Sequence, residues 1–174
     1  MNYFEFYQIA ESFAVDLAGL KKTFYELSKR YHPDFYANEA EARQLEILEL
    51  STLNNKAFQV LSNPAKRMEY ILQLHNLLAD GDKYQLAPDF LMDMMDLNES
   101  LMEANSKDEL ARIETQVNEI EKKLDTEKER LIIEYEKVSD SDKEKTLLLI
   151  KDIYFRTKYL LRIKDSLATF AARL

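Results

Sequence analysis

Proline occurs only three times in this chain, at Pro33, Pro64 and Pro88, and glycine only twice in 174 residues. Chain reversals use residues that break a helix or tolerate unusual backbone angles, so a sequence with so few of them can turn at only a few places. Between those places Leu, Glu, Lys and Ala are plentiful, and all four favour helix. The expectation is an all-α protein. Each proline also has a local meaning. Pro33 keeps His32 out of the right-handed helical region, so the preceding helix ends near Tyr31. Asn63-Pro64 stops one helix and starts the next, with Asn63 as N-cap and Pro64 at the first helical position. Pro88 opens another.

Apolar spacing fills in the segments between these breaks. Residues 2–11 hold Tyr3, Phe4, Phe6, Tyr7 and Ile9, an aromatic cluster suited to a short helix set into a core. Asp16 is a good N-cap, and Leu17, Leu20, Phe24, Leu27 and Tyr31 follow at helical spacing. A second helix is expected over 39–62, with Leu45, Leu48, Leu53, Ala57, Val60 and Leu61 apolar. A third carries Met68, Ile71, Leu72 and Leu74. The unit spans 1–75, an antiparallel helical hairpin with short flanking helices. Residues 76–87, including Asp80-Gly81-Asp82, lack sustained periodicity and are expected to be a linker. Over 88–174 a three-helix bundle is expected. Its first helix runs to about Ala104. The second starts at a Ser106/Glu109 capping box and carries Leu110, Ile113, Val117, Ile120, Leu124, Leu131, Tyr135 and Val138. Ser139-Asp140-Ser141-Asp142 breaks it, and a Ser141/Glu144 capping box leads into a last helix with Ile150, Ile153, Leu160, Ile163, Leu167 and Phe170.

Several function classes fall away on chemistry alone. A net charge of −8 disfavours nucleic acid, whose binding needs clustered Lys and Arg. The absence of cysteine removes thiolate nucleophiles, disulfides and cysteine-ligated metals. With His32 and His75 the only histidines, a metal site would have to rely on distant carboxylates, and no metal or other cofactor is expected. No phosphate-binding glycine loop or nucleophile constellation is present, so the chain is not expected to be an enzyme. No apolar run approaches the ~20 residues that span a bilayer and no secretory signal opens the chain. A soluble, cytoplasmic protein with no membrane partner is expected.

Tyr31-His32-Pro33-Asp34 is the most informative stretch. It joins two helical segments, is stiffened by its proline, and offers an imidazole and a carboxylate, with the Asp34 carboxylate able to fold back onto a nearby backbone N–H. Local chemistry leaves metal, catalytic and docking readings open; the missing ligands and nucleophiles weigh against the first two. Between residues 17 and 31 four bases, Lys21, Lys22, Lys29 and Arg30, stand against one acid, Glu26. Lys22 and Lys29 fall opposite the apolar stripe, with Lys21 and Arg30 on its flanks. A positive strip in an acidic protein points to an acidic partner.

A second surface is legible on the helix after Pro88. Phe90, Met94, Leu97, Leu101 and Ala104 form one stripe, and Met92, Met95 and Met102 centre about 160° away at helical spacing. Asp96, Glu99 and Glu103 share that second face, and no base occurs between Asp89 and Ser106. Methionines beside carboxylates suit an adaptable protein-binding patch. Packing of this face inside the protein, or scattered surface methionines of no consequence, are the alternatives.

The stretch from Leu17 to Asp34, the run Asn55-Lys56-Ala57-Phe58-Gln59-Val60-Leu61-Ser62-Asn63-Pro64, and Arg67 with Tyr70 resemble a J domain of the DnaJ class. The opening Met1-Asn2-Tyr3-Phe4, the continuation from Arg67 to His75, and Phe90-Leu91-Met92 resemble the HscB family, co-chaperones of iron-sulfur cluster assembly. The resemblance implies docking on an HscA or DnaK-class ATPase chaperone, with stimulation of its ATPase. It makes His32, Pro33 and Asp34 the trigger and Lys21, Lys22, Lys29 and Arg30 the docking strip. It further implies binding of an IscU-type scaffold protein by Leu91, Met92, Met95, Asp96, Glu99 and Glu103, with Phe155 from the last helix. Two departures are visible. J domains usually carry a lysine after the tripeptide, where this chain has Phe35-Tyr36, and Met95-Asp96 stands where relatives often have leucine and glutamate. The paired-cysteine arm of animal relatives is absent, as in bacterial-type members. A general J-type co-chaperone for other clients, or a structural helical interaction protein, are the competing readings.

Overall fold

The computed structural model describes residues 1–79 and 84–173, with only the backbone of Asp140 described. All regular elements among them are helical: α1 Tyr3–Phe6, α2 Leu17–Arg30, a 3-10 turn Pro33–Tyr36, α3 Glu41–Leu61, α4 Pro64–Leu74, α5 Pro88–Glu103, α6 Lys107–Tyr135 and α7 Asp140–Ala171. They form two compact units, Met1–Asn76 and Leu77–Leu174.

In the first unit α3 packs against α1, α2, the 3-10 turn and α4. Phe24 of α2 stacks on Phe58 of α3 at 4.3 Å between ring centroids. One turn further along α2, Ser28 meets Asn54 of α3. Contacts advancing on one helix and receding on the other make the pair antiparallel. The short α1 is closed at its start by a reciprocal cap, in which Asn2 Oδ1 accepts from the Glu5 N–H and Glu5 Oε2 from the Asn2 N–H, both at 2.9 Å. Its Phe4 and Tyr7 enter the core, and Tyr3 stacks on Tyr70 of α4 at 4.5 Å. Asp16 caps α2 through the Ala18 N–H at 3.0 Å, and Asn63 caps α4 through the Lys66 N–H at 3.0 Å, both as their sequence positions predict.

The apolar register of α3 differs from the expected one. Leu45 and Leu48 are exposed, and the buried positions are Ile47, Asn54, Ala57 and Leu61. Leu17 at the start of α2 is exposed as well. Helical spacing alone admits two neighbouring stripes on a leucine-rich helix, and the partner helices decide which is covered.

Asn54 explains the choice. It is 1% exposed, and its Oδ1 accepts from the Tyr7 hydroxyl at 2.8 Å. Its Nδ2 donates to the Phe24 carbonyl at 3.1 Å and to Ser28 Oγ at 3.0 Å. Tyr7, buried with it, has its phenol pKa raised by desolvation. A second buried polar node is Arg67, whose Nε donates to the Phe13 carbonyl at 2.9 Å and whose Nη1 donates to the Leu61 carbonyl at the end of α3. Burial lowers its pKa. These bonds compensate the cost of placing polar groups in a core.

The second unit is built on a long antiparallel pair. Glu121 of α6 and Lys164 of α7 form an ion pair at 2.7 Å, and the Lys143 ammonium lies 5.6 Å over the Tyr135 ring near the connection. Leu110, Ile113, Val117, Leu124, Leu131 and Tyr135 of α6 are buried with Leu147, Ile150, Ile153, Leu160, Ile163 and Leu167 of α7. Against this pair α5 lays Phe90, Met94, Leu97 and Leu101, all buried.

Two capping expectations need correction. At α6 the main bond to the Glu109 carboxylate comes from the Asn105 N–H, one residue before the N-cap, at 2.7 Å, and that bond, ahead of those from Ser106, holds its pKa below the usual carboxylate range. Ser106 Oγ does accept from the Glu109 N–H at 3.3 Å. At α7 the N-cap is Ser139, so Ser141 lies inside the helix, and Ser139 Oγ makes side-chain bonds to Ser141 and Asp142 instead of capping a backbone N–H. Asp80-Gly81-Asp82, in the expected linker, lie outside the described residues. Residues 84–87 of that segment are not free, since Leu86 is buried and the Tyr84 ring stacks on Phe155 at 4.6 Å.

Because Asn54 satisfies three partners at once, Asn54→Ala is expected to lower unfolding free energy by about 2–4 kcal/mol, measured by urea denaturation. A loss below about 1 kcal/mol would show the node to be dispensable.

Candidate functional site

The turn after α2 is built by its own residues. His32 is extended, with φ −73° and ψ 122°, and the helix before it closes with the Tyr31 N–H on the Leu27 carbonyl at 2.8 Å. Pro33 then occupies the first position of the 3-10 turn. The ring of His32 caps that turn, Nδ1 accepting from the Asp34 N–H at 3.3 Å. This corrects the expectation that the Asp34 carboxylate would fold back onto the backbone. Proline supplies no N–H, so the first free donor is Asp34's own, and the side chain placed to cap it is His32. In the neutral ring Nε2 therefore carries the proton. The Asp34 carboxylate lies 3.7 Å from Nδ1 and is 85% exposed. An imidazole N–H and a carboxylate are thus displayed beside one another on a short, bonded turn, which is chemistry for recognition.

Around the turn, Phe35 is 68% exposed and its ring centroid lies 5.5 Å from that of His32. Tyr36 donates its hydroxyl to the Arg30 carbonyl at 2.8 Å, while Gln44 of α3 donates to the carbonyls of Ala37 and Glu39 at 3.2 and 2.8 Å. Lys21, Lys22, Lys29 and Arg30 are all exposed. Among the described residues none of the four is in an ion pair; Lys21 lies over the Tyr25 ring at 6.0 Å. Lys29 and Arg30 border a shallow groove with Leu27, Phe35 and Tyr36. Lys29 and Arg30 therefore share the end of α2 with the turn, while Lys21 and Lys22 lie in its first half, about two turns away.

On the second unit the α5 faces separate cleanly. Met94 is fully buried, whereas Met92, Met95 and Met102 are 65%, 64% and 76% exposed. Asp96, Glu99 and Glu103 are also exposed. Leu91 and Phe155 are brought together in a groove lined by Tyr84, Leu86, Lys158 and Tyr159. Tyr84 donates to Asp152 at 2.8 Å, and Arg156 pairs with the same carboxylate at 2.6 Å. Burial first, and then the bond to Asp152, push the Tyr84 phenol up to about 12. Glu103 stands at the other end of α5, in a corner with Asn105, Glu109 and Arg112. The separation from Leu91 is about 18 Å along the helix axis. Sequence spacing had not singled out Tyr84, Leu86, Lys158 or Tyr159. The readable signal was the alternation of Tyr84 and Leu86 before Pro88 together with the aromatic run at 154, 155 and 159.

Among the described residues no group of three or more His, Asp or Glu side chains could hold a metal ion, and no helix is long and apolar enough to cross a membrane.

Comparison with known proteins assigns both units. A DnaJ domain family model matches residues 2–70, and a model of the HscB C-terminal oligomerisation domain matches residues 86–168. HscB co-chaperone homologues from three strains of Neisseria meningitidis are each 33% identical over 120 residues, which span 68% of this chain and 72% of theirs. The chain belongs to the HscB family. Among solved structures, chaperone HscB from Vibrio cholerae superposes with a TM-score of 0.67 at 26% identity, covering 100% of this chain and 99% of the other. Human co-chaperone HscB gives a TM-score of 0.73 at 26% identity, with 100% and 84% covered.

HscB proteins are J-domain co-chaperones of iron-sulfur cluster assembly rather than enzymes, and this member carries the J-domain tripeptide on the capped turn described above. Arg67 and Tyr70, two of the residues that carry the J-domain resemblance, have structural duties. Arg67 binds the end of α3, and the Tyr70 hydroxyl accepts from the Tyr3 N–H at 3.0 Å.

The exposure pattern of the methionines is directly measurable. Under limiting peroxide, Met1, Met92, Met95 and Met102 are expected to reach the sulfoxide well before Met94 and Met68, followed by mass spectrometry of peptides. Early oxidation of Met94 would place α5 in another rotation.

Proposed function

We propose that this HscB-family member docks on an HscA or DnaK-class chaperone through its first unit and stimulates that chaperone's ATPase. In this reading His32, Pro33 and Asp34 are the trigger, and Lys21, Lys22, Lys29 and Arg30 steer and hold an acidic face of the partner. The observation that carries it is the juxtaposition of a self-capped His-Pro-Asp turn with four exposed bases that make no ion pair among the described residues. Chemistry stays with the partner; this chain supplies recognition groups only.

The second unit, in the same proposal, binds an IscU-type iron-sulfur scaffold. Leu91, Met92, Met95 and Phe155 provide adaptable apolar contact, and Asp96, Glu99 and Glu103 provide charge. The exposed methionines of α5, and the fact that all its charged residues are acidic, support that surface. Joining two binding units in one chain makes scaffold delivery intramolecular, which raises the scaffold's effective concentration at the chaperone. The setting is proposed to be the cytoplasm.

Steady-state ATPase assays with the chaperone test the first surface. Wild type is expected to raise the rate and His32→Gln to lose nearly all of that stimulation; equal stimulation by both would reject the trigger. For the second surface, combined Leu91→Ala, Met92→Ala and Met95→Ala should weaken scaffold binding at least about 100-fold while stimulation without scaffold persists. Unchanged affinity by calorimetry would remove the site, and equal binding of unrelated clients would favour a general co-chaperone.

A further inference from the structure

We propose that Tyr36 is a positioning residue for the His32-Pro33-Asp34 turn, its hydroxyl anchoring the docking loop to the end of α2. The inference rests on the docking role proposed for that turn and deepens it. In a continuing helix the Arg30 carbonyl would accept from the N–H of residue 34, or from residue 33 in a 3-10 turn. Residue 33 is proline and has no N–H, and the Asp34 N–H is engaged by His32 Nδ1 at 3.3 Å. The capping of the turn by His32 therefore takes away the backbone donor that the Arg30 carbonyl would otherwise use. A helix-end carbonyl in that position needs a side chain or water. Tyr36 provides it, at 2.8 Å.

The phenol is itself held. The Arg43 guanidinium of α3 lies 5.6 Å over its ring, and Arg43 pairs with Glu46 at 2.6 Å. Gln44 ties the far end of the loop to α3 through two carbonyls. The loop is thus fixed to α3 at its exit and, among the described residues, to α2 by one side-chain hydrogen bond, that of Tyr36. The carbonyl it closes belongs to Arg30, whose side chain is the last base of the strip. That bond therefore ties the turn carrying the tripeptide to the end of the strip formed by Lys29 and Arg30. Phenylalanine at 36 would keep the ring beneath Arg43 and lose only this anchor.

The test uses the full chain with wild type, His32→Gln and Tyr36→Phe. Chaperone ATPase is titrated with each protein, and amide exchange is followed by NMR. Tyr36→Phe is expected to need an about three- to tenfold higher concentration for half-maximal stimulation, with the maximal rate retained. Faster exchange should be confined to Asp34, Phe35 and their neighbours, with the melting temperature unchanged. Wild-type behaviour in both readouts overturns the proposal. So does a general rise in exchange with a lowered melting temperature, which would make Tyr36 an ordinary stabilising residue. If wild type itself gives no stimulation, the docking reading fails, and local exchange alone decides whether Tyr36 anchors the turn.

Discussion

The Asn54 amide, buried between α3, α2 and the residue that ends α1, takes the phenol of Tyr7 just after α1 and gives its two N–H groups to a carbonyl and a hydroxyl of α2. Apolar side chains pack in many nearly equivalent registers, whereas an amide in a core is satisfied in few, and a shift of one turn would leave several polar groups unpaired. The hairpin is therefore held at one longitudinal setting. That setting decides where α2 ends relative to α3, and so which residues of α3 can reach the turn. Gln44 and Arg43 meet residues 36–39 because α3 starts beside them. Polar pairing in the core thus sets the hairpin, while bonds local to residues 30–44 build the turn that displays His32 and Asp34.

The second unit is held mainly by aliphatic packing. Heptad-spaced aliphatic side chains on α6 and α7 make a long, stiff pair, to which α5 contributes one stripe only. A helix that packs through a single stripe leaves its other face free for a partner. Here that face carries methionine and carboxylate, which combine adaptable contact with charge. The neighbouring groove at Leu91 and Phe155 has bases on its rim, Lys158 and Arg162. A ligand spanning face and groove would meet opposite charges in turn, a pattern that fixes orientation more than it adds affinity.

Much of this could be read from residue order. Asp16, Asn63, Pro33, Pro64 and Pro88 mark helix ends through local backbone chemistry, which tertiary packing seldom overrides. The core stripe of α5 was legible because its polar and apolar faces differ sharply. On α3 the leucines are spread around the helix, and the buried stripe passes through an asparagine, so hydrophobic spacing pointed to Leu45 and Leu48 instead of Ile47 and Asn54. The segment at 84–87 has no helical period, and its packing against α7 rests on contacts nearly seventy residues away.

Sequence alone determined the all-helical character, most of the helix boundaries, the tripeptide with its basic strip, and the methionine and acid face of α5. All of these follow from interactions within about four residues, or from the periodicity of one helix. Tertiary structure alone decided that His32 caps its own turn while Tyr36 closes the carbonyl left behind, that Asn54 sets the hairpin's register, and that Leu91 and Phe155 share a groove. Each of these requires knowing which donors are already engaged and which side chains are brought together from distant positions, and residue order carries neither.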